Sequence, residues 1–221
     1  MRQASYLRQR YRTILAYTGM ILALCAGLML TPLLALIAWP NEAAQAWSFF
    51  IPAVLMGGLG LATWRRLKPK DHVVLSLQEG GVIVLLSWVV VCLFSAWPFM
   101  AVMGLSFTQA VFESVSGWTT TGLSVVDVTQ AGHVILVWRS IMQLAGGAGL
   151  AIIMLSALTG PTGPALSVAE GREQLVPHVR QSAKLVMMIY SGYIMVGTAA
   201  LHLAGMGWFD AVNHALSLIH I

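Results

Sequence analysis

The sequence predicts an all-α membrane protein: two N-terminal helices, followed by helix–pore-loop–helix repeats, the first complete and the second incomplete. The composition is the first reason. Of the 221 residues, 58% are hydrophobic and only 9% are charged, whereas about a quarter of the residues in a soluble domain are charged. The second reason is a series of long apolar stretches. The third is a short polar segment, residues 106–126, that lies between two of these stretches.

Five apolar stretches are predicted to form membrane-spanning helices. A helix rises 1.5 Å per residue and needs about 20 apolar residues to cross the hydrocarbon core. The stretches lie at residues 14–37, 46–63, 73–100, 134–158 and 183–204.

The distribution of basic residues predicts the topology. All Lys and Arg residues except Arg139 lie before the first stretch, in the loop 64–72, or in the loop 160–184. Cytoplasmic loops of membrane proteins carry an excess of these residues. The N-terminus and both basic loops are therefore predicted to be cytoplasmic, and residues 103–133 to be external.

The external segment 106–126 must begin and end on the same side of the membrane. Its first part, residues 108–118, would reach only about 16 Å as a helix, which is half a bilayer. The next residues, TTTGLS at 119–124, are poor helix formers and include a glycine at which a backbone can reverse. Such a hairpin presents carbonyl groups to an ion in potassium channels. The alternative is an external loop with an amphipathic surface helix.

Three motifs occur in order along the chain. They are FESVSGWTTTGLS at residues 112–124, WRS with GGAG at 138–140 and 146–149, and GMGWFDA with NHA at 205–211 and 213–215. The first resembles the first pore loop of the Trk/Ktr/HKT superfamily of potassium transporters. The second is similar to the next helix of bacterial Trk-type members, and the third to the start of the second pore helix. The resemblance covers nearly the whole chain.

The resemblance implies a membrane subunit of a Trk-type potassium uptake system in the bacterial inner membrane. Potassium is then the substrate, no organic cofactor is expected, and the protein is not an enzyme. The family fold has four helix–pore-loop–helix repeats around one pore, and Trk members add two N-terminal helices. The implied domains are a two-helix membrane domain at 1–71, the first repeat at 72–159, a cytoplasmic connector at 160–182, and the start of a second repeat at 183–221. Filters two to four are absent, which predicts a truncated N-terminal portion.

The predicted ion ligands are the main-chain oxygens of Thr119, Thr120, Thr121 and Gly122, with Leu123 completing the turn outward. Glycine adopts the unusual backbone conformation that such a filter needs at little steric cost. In the plant branch of the superfamily, serine in place of this glycine accompanies a preference for sodium, so glycine indicates potassium. The alternative is a Ser/Thr-rich turn without a ligand.

Two charged residues, Glu113 and Arg139, are predicted to lie inside or near the membrane. An isolated charge is costly there. We expect these two residues to bond to each other or to the back of the filter, and so to support it. The alternative is that both extend to the outer interface. The small residues at 146–149 indicate close helix packing or a bend.

The partners implied by the resemblance are membrane lipid, a second copy of the full-length subunit in a homodimer, and a cytoplasmic, TrkA-like nucleotide-binding regulatory subunit. Nucleic acid is not expected despite the net charge of +4. Two other functions stay open. An intramembrane enzyme is suggested by Ser116-Gly117, although the rhomboid protease motif has glycine where Ser114 stands. A non-conducting assembly fragment is the other.

Overall fold

The computed structural model describes residues 2–69, 75–149 and 179–218. Within these ranges the chain is helical and has no β-strand. The α-helices are α1 Arg2–Leu30, α2 Ala46–Leu67, α3 Leu77–Ser95, α4 Trp97–Met103, α5 Phe107–Trp118, α6 His133–Ala148, α7 Val179–Leu203 and α8 Trp208–Leu218, and two 3-10 helices, Thr31–Ile37 and Pro40–Gln45, join α1 to α2. The predicted all-α fold class is therefore confirmed. The predicted connector at 160–182 lies mostly outside the described residues.

Three segments of the described chain are long and apolar enough to cross a membrane: Tyr6–Ile37, Pro40–Leu67 and Gln78–Met103. They correspond to the first three predicted spans. The first helix begins earlier than its apolar run, because arginine is a good helix former and continues the helix beyond the apolar part. Large apolar side chains face outward along these helices, including Leu55 and Leu85. An apolar exterior of this kind is stable in lipid and not in water.

The two N-terminal helices pack at very short range through glycine. A Cβ atom on Gly60 would lie 2.4 Å from the carbonyl oxygen of Gly19, and a Cβ atom on Gly19 would lie 2.7 Å from that of Gly60. Small residues let membrane helices approach in this way, since lipid gives no hydrophobic drive and close van der Waals contact must hold the helices together.

The third span divides at Ala96, between α3 and α4. Pro98 stands in the first turn of α4 and lacks the N–H group that would continue the helical hydrogen bonds. The last residue of α3, Ser95, accepts hydrogen bonds from two indole rings. Trp118 Nε1 donates to the Ser95 hydroxyl at 2.9 Å, and Trp138 Nε1 donates to the Ser95 carbonyl at 3.4 Å. These hydrogen bonds connect α5 and α6 to the end of α3.

Candidate ion filter

The candidate filter begins with the short helix α5, which is anchored along one face. Ser106 starts the helix with a capping box in which its hydroxyl accepts from Gln109 N and its own N–H donates to the Gln109 side chain. Further along, the Ser114 hydroxyl donates to the Cys92 carbonyl at 2.8 Å. The helix has 12 residues and so spans about 18 Å, or roughly half a bilayer.

The chain reverses directly after α5 in a Schellman turn. Thr121 N donates to the Ser116 carbonyl at 3.0 Å, and Thr120 N donates to the Gly117 carbonyl at 3.2 Å. This turn needs a left-handed residue, which is usually glycine, but here Thr120 has φ +56°. A β-branched residue in this region is strained, and such strain concentrates at functional sites. Gly122 follows with φ +79°.

The segment that returns after the turn is held on its α5 side by side chains of that helix. The Ser116 hydroxyl donates to the Leu123 carbonyl at 2.5 Å. No described residue donates a hydrogen bond to the carbonyl oxygens of Thr120, Thr121 or Gly122. Thr119, Thr121 and Gly122 are exposed residues. The segment therefore combines an anchored side with carbonyl groups that are available to a ligand.

Glu113 and Arg139 meet behind this strand. Arg139 Nε donates to Glu113 Oε1 at 2.6 Å, and the carboxylate side chain is only 1% exposed. The same carboxylate accepts from the Ser124 hydroxyl at 3.0 Å and from Val125 N at 3.0 Å. A buried charge is tolerated only when it is paired and its remaining hydrogen bonds are satisfied. The structure brings together these two predicted residues, which bond to each other.

The next helix, α6, packs against the end of α5 through its glycine-rich end. A Cβ atom on Gly146 would lie 2.0 Å from the Trp118 carbonyl oxygen. A Cβ atom on Gly117 would lie 2.9 Å from Met142 Cε. Gly149, with φ +56°, ends the helix. Of the two interpretations of residues 146–149, the contact at Gly146 supports close packing.

The electrostatics of the hairpin favour a cation. The C-terminal end of a helix carries a partial negative charge, and α5 ends at the start of the exposed strand. After the strand, hydrogen bonds from the Thr129 hydroxyl and N–H lower the pKa of Asp127 below its ordinary value. Asp127 is therefore a carboxylate at neutral pH, and no positive charge lies between it and the hairpin in sequence.

The hydrogen bonds that Ser116 and Ser124 make in the hairpin were not predicted from the sequence. The signal was present, since both hydroxyls lie in the motif FESVSGWTTTGLS, but the motif alone does not show which carbonyl or carboxylate each contacts. Helix α8, predicted as the start of a second pore helix, also contacts α6. The Ser140 hydroxyl donates to Asn213 Oδ1 at 2.9 Å, and Ser217 bonds to Gln143.

Comparison with known proteins identifies the family. The family model described as TrkH, cation transport protein, matches residues 49–220, which is more than half of the chain. The chain belongs to the TrkH family. The TrkH family consists of cation transport proteins and not of enzymes, so the predicted resemblance is confirmed.

Individual relatives are also named as potassium uptake proteins or cation transporters. The chain is 32% identical over 223 residues to the Trk system potassium uptake protein TrkH of Escherichia coli K12, covering 96% of this chain and 45% of that protein. It is 34% identical over 173 residues to an uncharacterized cation transporter of Methanocaldococcus jannaschii, covering 75% of this chain and 35% of that protein. The chain spans less than half the length of these relatives.

A solved structure shows the same fold. The crystal structure of the potassium transporter TrkH from Vibrio parahaemolyticus matches with a TM-score of 0.77 and 30% sequence identity. The match covers 95% of this chain and 43% of that one. The fold of the described helices is thus that of the corresponding part of a TrkH membrane protein.

Proposed function

We propose that this chain supplies one of the filter segments of a Trk-type potassium uptake system. Potassium would pass by exchanging its water molecules for the carbonyl oxygens of Thr119, Thr120, Thr121 and Gly122. The observation that carries the proposal is the hairpin after α5, where the carbonyls of 120–122 have no hydrogen bond from a described residue while the back of the strand is anchored. Rings of such carbonyls replace the hydration shell of an ion in potassium channels.

Each part of the hairpin has a physical task in this mechanism. The partial negative charge at the end of α5 lowers the energy of a partly dehydrated cation. Gly122, at φ +79°, turns the backbone without steric cost. Leu123 completes the turn outward, and its own carbonyl is held by Ser116. A strand that is fixed at Leu123 presents its preceding carbonyls in a constant geometry.

Glu113 and Arg139 support the filter from behind in this proposal. The carboxylate binds the strand at Ser124 and Val125, and the guanidinium fixes the carboxylate. The carboxylate and the guanidinium neutralise each other, so neither group offers a competing binding site to the passing cation. The pair therefore acts on the position of the filter and not on the ion itself.

The described chain contributes one filter segment to the proposed transport unit. One filter segment cannot surround an ion, and the chain covers 45% of the E. coli TrkH length, so we propose that the working subunit is longer and supplies the other filter segments. Its proposed setting is the bacterial inner membrane, with a cytoplasmic N-terminus, lipid around it, a second subunit in a homodimer and a TrkA-like cytoplasmic regulator. The relatives named as Trk system potassium uptake proteins support the Trk-system part of this proposal.

The experiment uses the full-length subunit in a host that lacks potassium uptake. Gly122→Ser places a side chain on a left-handed backbone, which costs about 1–2 kcal/mol, and we expect the preference for potassium over sodium to fall about tenfold. Gly104→Ser is the matched control, because Gly104 has φ +67° and lies outside the filter with no atom near its Cβ position. An equal loss of selectivity in both variants, or none in Gly122→Ser, contradicts the proposal.

A further inference from the structure

The helix that carries Arg139 receives its N-terminal cap from a distant part of the chain. The residue before α6 is Gly132, which has no side chain to cap it. The cap comes instead from Glu42, in the 3-10 helix Pro40–Gln45 that joins the two N-terminal helices. Glu42 Oε1 accepts from His133 N at 3.0 Å, and Oε2 accepts from Val134 N at 3.0 Å. Two of the N–H groups that a helix leaves unsatisfied are thus bound by one carboxylate.

The contact between Glu42 and the start of α6 is buried and tightly packed. Glu42 is 8% exposed. A Cβ atom on Gly132 would lie 3.0 Å from Glu42 Oε2 and 3.2 Å from Gln45 Nε2. A local cap such as serine at 132 would therefore crowd the carboxylate. The glycine leaves room for the distant acid, and the negative charge is favourable at the helix N-terminus.

The same corner also reaches the second pore helix. His133 Nδ1 lies 2.7 Å from Glu42 Oε1. The His133 ring stacks on Trp39 at 4.2 Å, and the Phe209 ring meets it edge-on at 4.7 Å. Phe209 belongs to the first turn of α8. Three segments that are far apart in sequence therefore meet at one histidine: the link between the N-terminal helices, the start of α6 and the start of α8.

We propose that Glu42 is a positioning residue for the filter. Through Glu42, the N-terminal helix pair fixes the position of the filter segment. This inference rests on the proposed filter function. A capping residue next to the helix would secure only the helix end, but Glu42 ties that end to α1 and α2. Arg139 follows His133 by six residues, about 9 Å along a rigid helix. A shift of α6 at Glu42 is therefore carried to Arg139, then to Glu113, and through it to Ser124 in the filter strand.

The test separates positioning from simple capping. In the full-length subunit, Glu42→Ala removes both the cap and the tie to the N-terminal pair. The double variant Glu42→Ala/Gly132→Ser restores a local cap, since serine is a preferred N-cap, and the missing carboxylate leaves space for it. Glu79→Ala is the control, because Glu79 also caps a helix, α3, but does so beside Arg10 at the opposite end of α1. Potassium and sodium uptake are measured per subunit present in the membrane.

We expect the potassium-to-sodium uptake ratio to fall about fivefold in Glu42→Ala, which corresponds to about 1 kcal/mol. The double variant should restore the amount of subunit in the membrane to the wild-type level but keep the reduced potassium-to-sodium uptake ratio. Glu79→Ala should keep the wild-type uptake ratio. A wild-type ratio in Glu42→Ala, or its return in the double variant, overturns the inference and leaves the filter proposal intact. Absence of potassium uptake by the unmodified subunit would instead overturn the filter proposal.

Discussion

The two short helices α5 and α8, which we propose to be pore helices, share a sequence pattern but are held in different ways. Ala110-Val111 in α5 and Ala211-Val212 in α8 are each followed by a serine six residues after the alanine, Ser116 and Ser217, and both alanines are fully buried. The position three residues after the alanine differs. It is the buried Glu113 in the first helix and an exposed histidine in the second.

This difference follows from what comes after each helix. Helix α8 contacts α6 through neutral hydrogen bonds, which include the one from Ser140 to Asn213. That is sufficient for a helix, since a helix satisfies its own backbone groups. The segment after α5 pairs with no β-strand among the described residues, so its N–H groups need other partners. Glu113 supplies one to Val125, and Arg139 compensates the buried charge.

The largest effect is expected where the buried charge pair is broken. Glu113→Ala leaves Arg139 without its partner and Val125 N without an acceptor, and removal of one member of a buried pair costs about 3–5 kcal/mol. We expect a strong decrease in the thermal stability of the purified full-length subunit in detergent, together with loss of potassium uptake. The variant Glu113→Gln keeps an acceptor and should lose less. Equal stability of Glu113→Ala and the wild type would remove the distinction between the two helices.

A smaller effect is expected at the neutral contact of the second helix. Ser140→Ala removes one hydrogen bond between α6 and α8, and such a bond contributes about 1 kcal/mol. A double-mutant cycle with Asn213→Ala in the full-length subunit measures the coupling between these two side chains directly. We expect a coupling free energy of about 1 kcal/mol. A coupling as large as that between Glu113 and Arg139 would show that neutral and charged contacts hold the two helices equally strongly.

The smallest effect concerns the strained turn. Thr120 has φ +56°, and Thr120→Gly relieves the steric cost while adding flexibility to the unfolded chain, so we expect a net gain of about 0.5 kcal/mol in stability. Thr121→Gly is the matched control, since Thr121 does not have a positive φ and should lose stability. Selectivity measured alongside stability reports on function. A stability loss in Thr120→Gly as large as in the control would contradict the strain at this turn.

Much of the fold could be predicted from the pattern of apolar residues. The first three spans, the half-membrane length of α5 and the start of α8 near Trp208 follow from hydropathy and from the motifs. The ends of the helices were less predictable. The third span divides into α3 and α4 at Ala96, and the first extends toward Arg2, because helix ends depend on local hydrogen bonds as well as on hydropathy.

The candidate site was only partly predictable. The motif around Thr119–Gly122 predicted a hairpin, and its two neighbouring charges suggested a pair. The Schellman turn with threonine at its left-handed position was not foreseen, because propensity favours glycine there. The hydrogen bonds between Glu42 and the start of α6 were also not foreseen. An acidic residue in a short loop cannot be distinguished from a solvated charge until its partners are known.

The sequence by itself predicted membrane-spanning helices and one helix of half-membrane length before the TTTGLS segment, because hydrocarbon offers no hydrogen-bond partners and only helices of sufficient apolar length satisfy their own backbone. The tertiary structure decided which charges meet. Arg139 lies 26 residues from Glu113, and His133 lies 91 residues from Glu42. Contacts at such separations depend on how the helices pack at their glycines. The spacing of residues along the chain does not determine this three-dimensional packing.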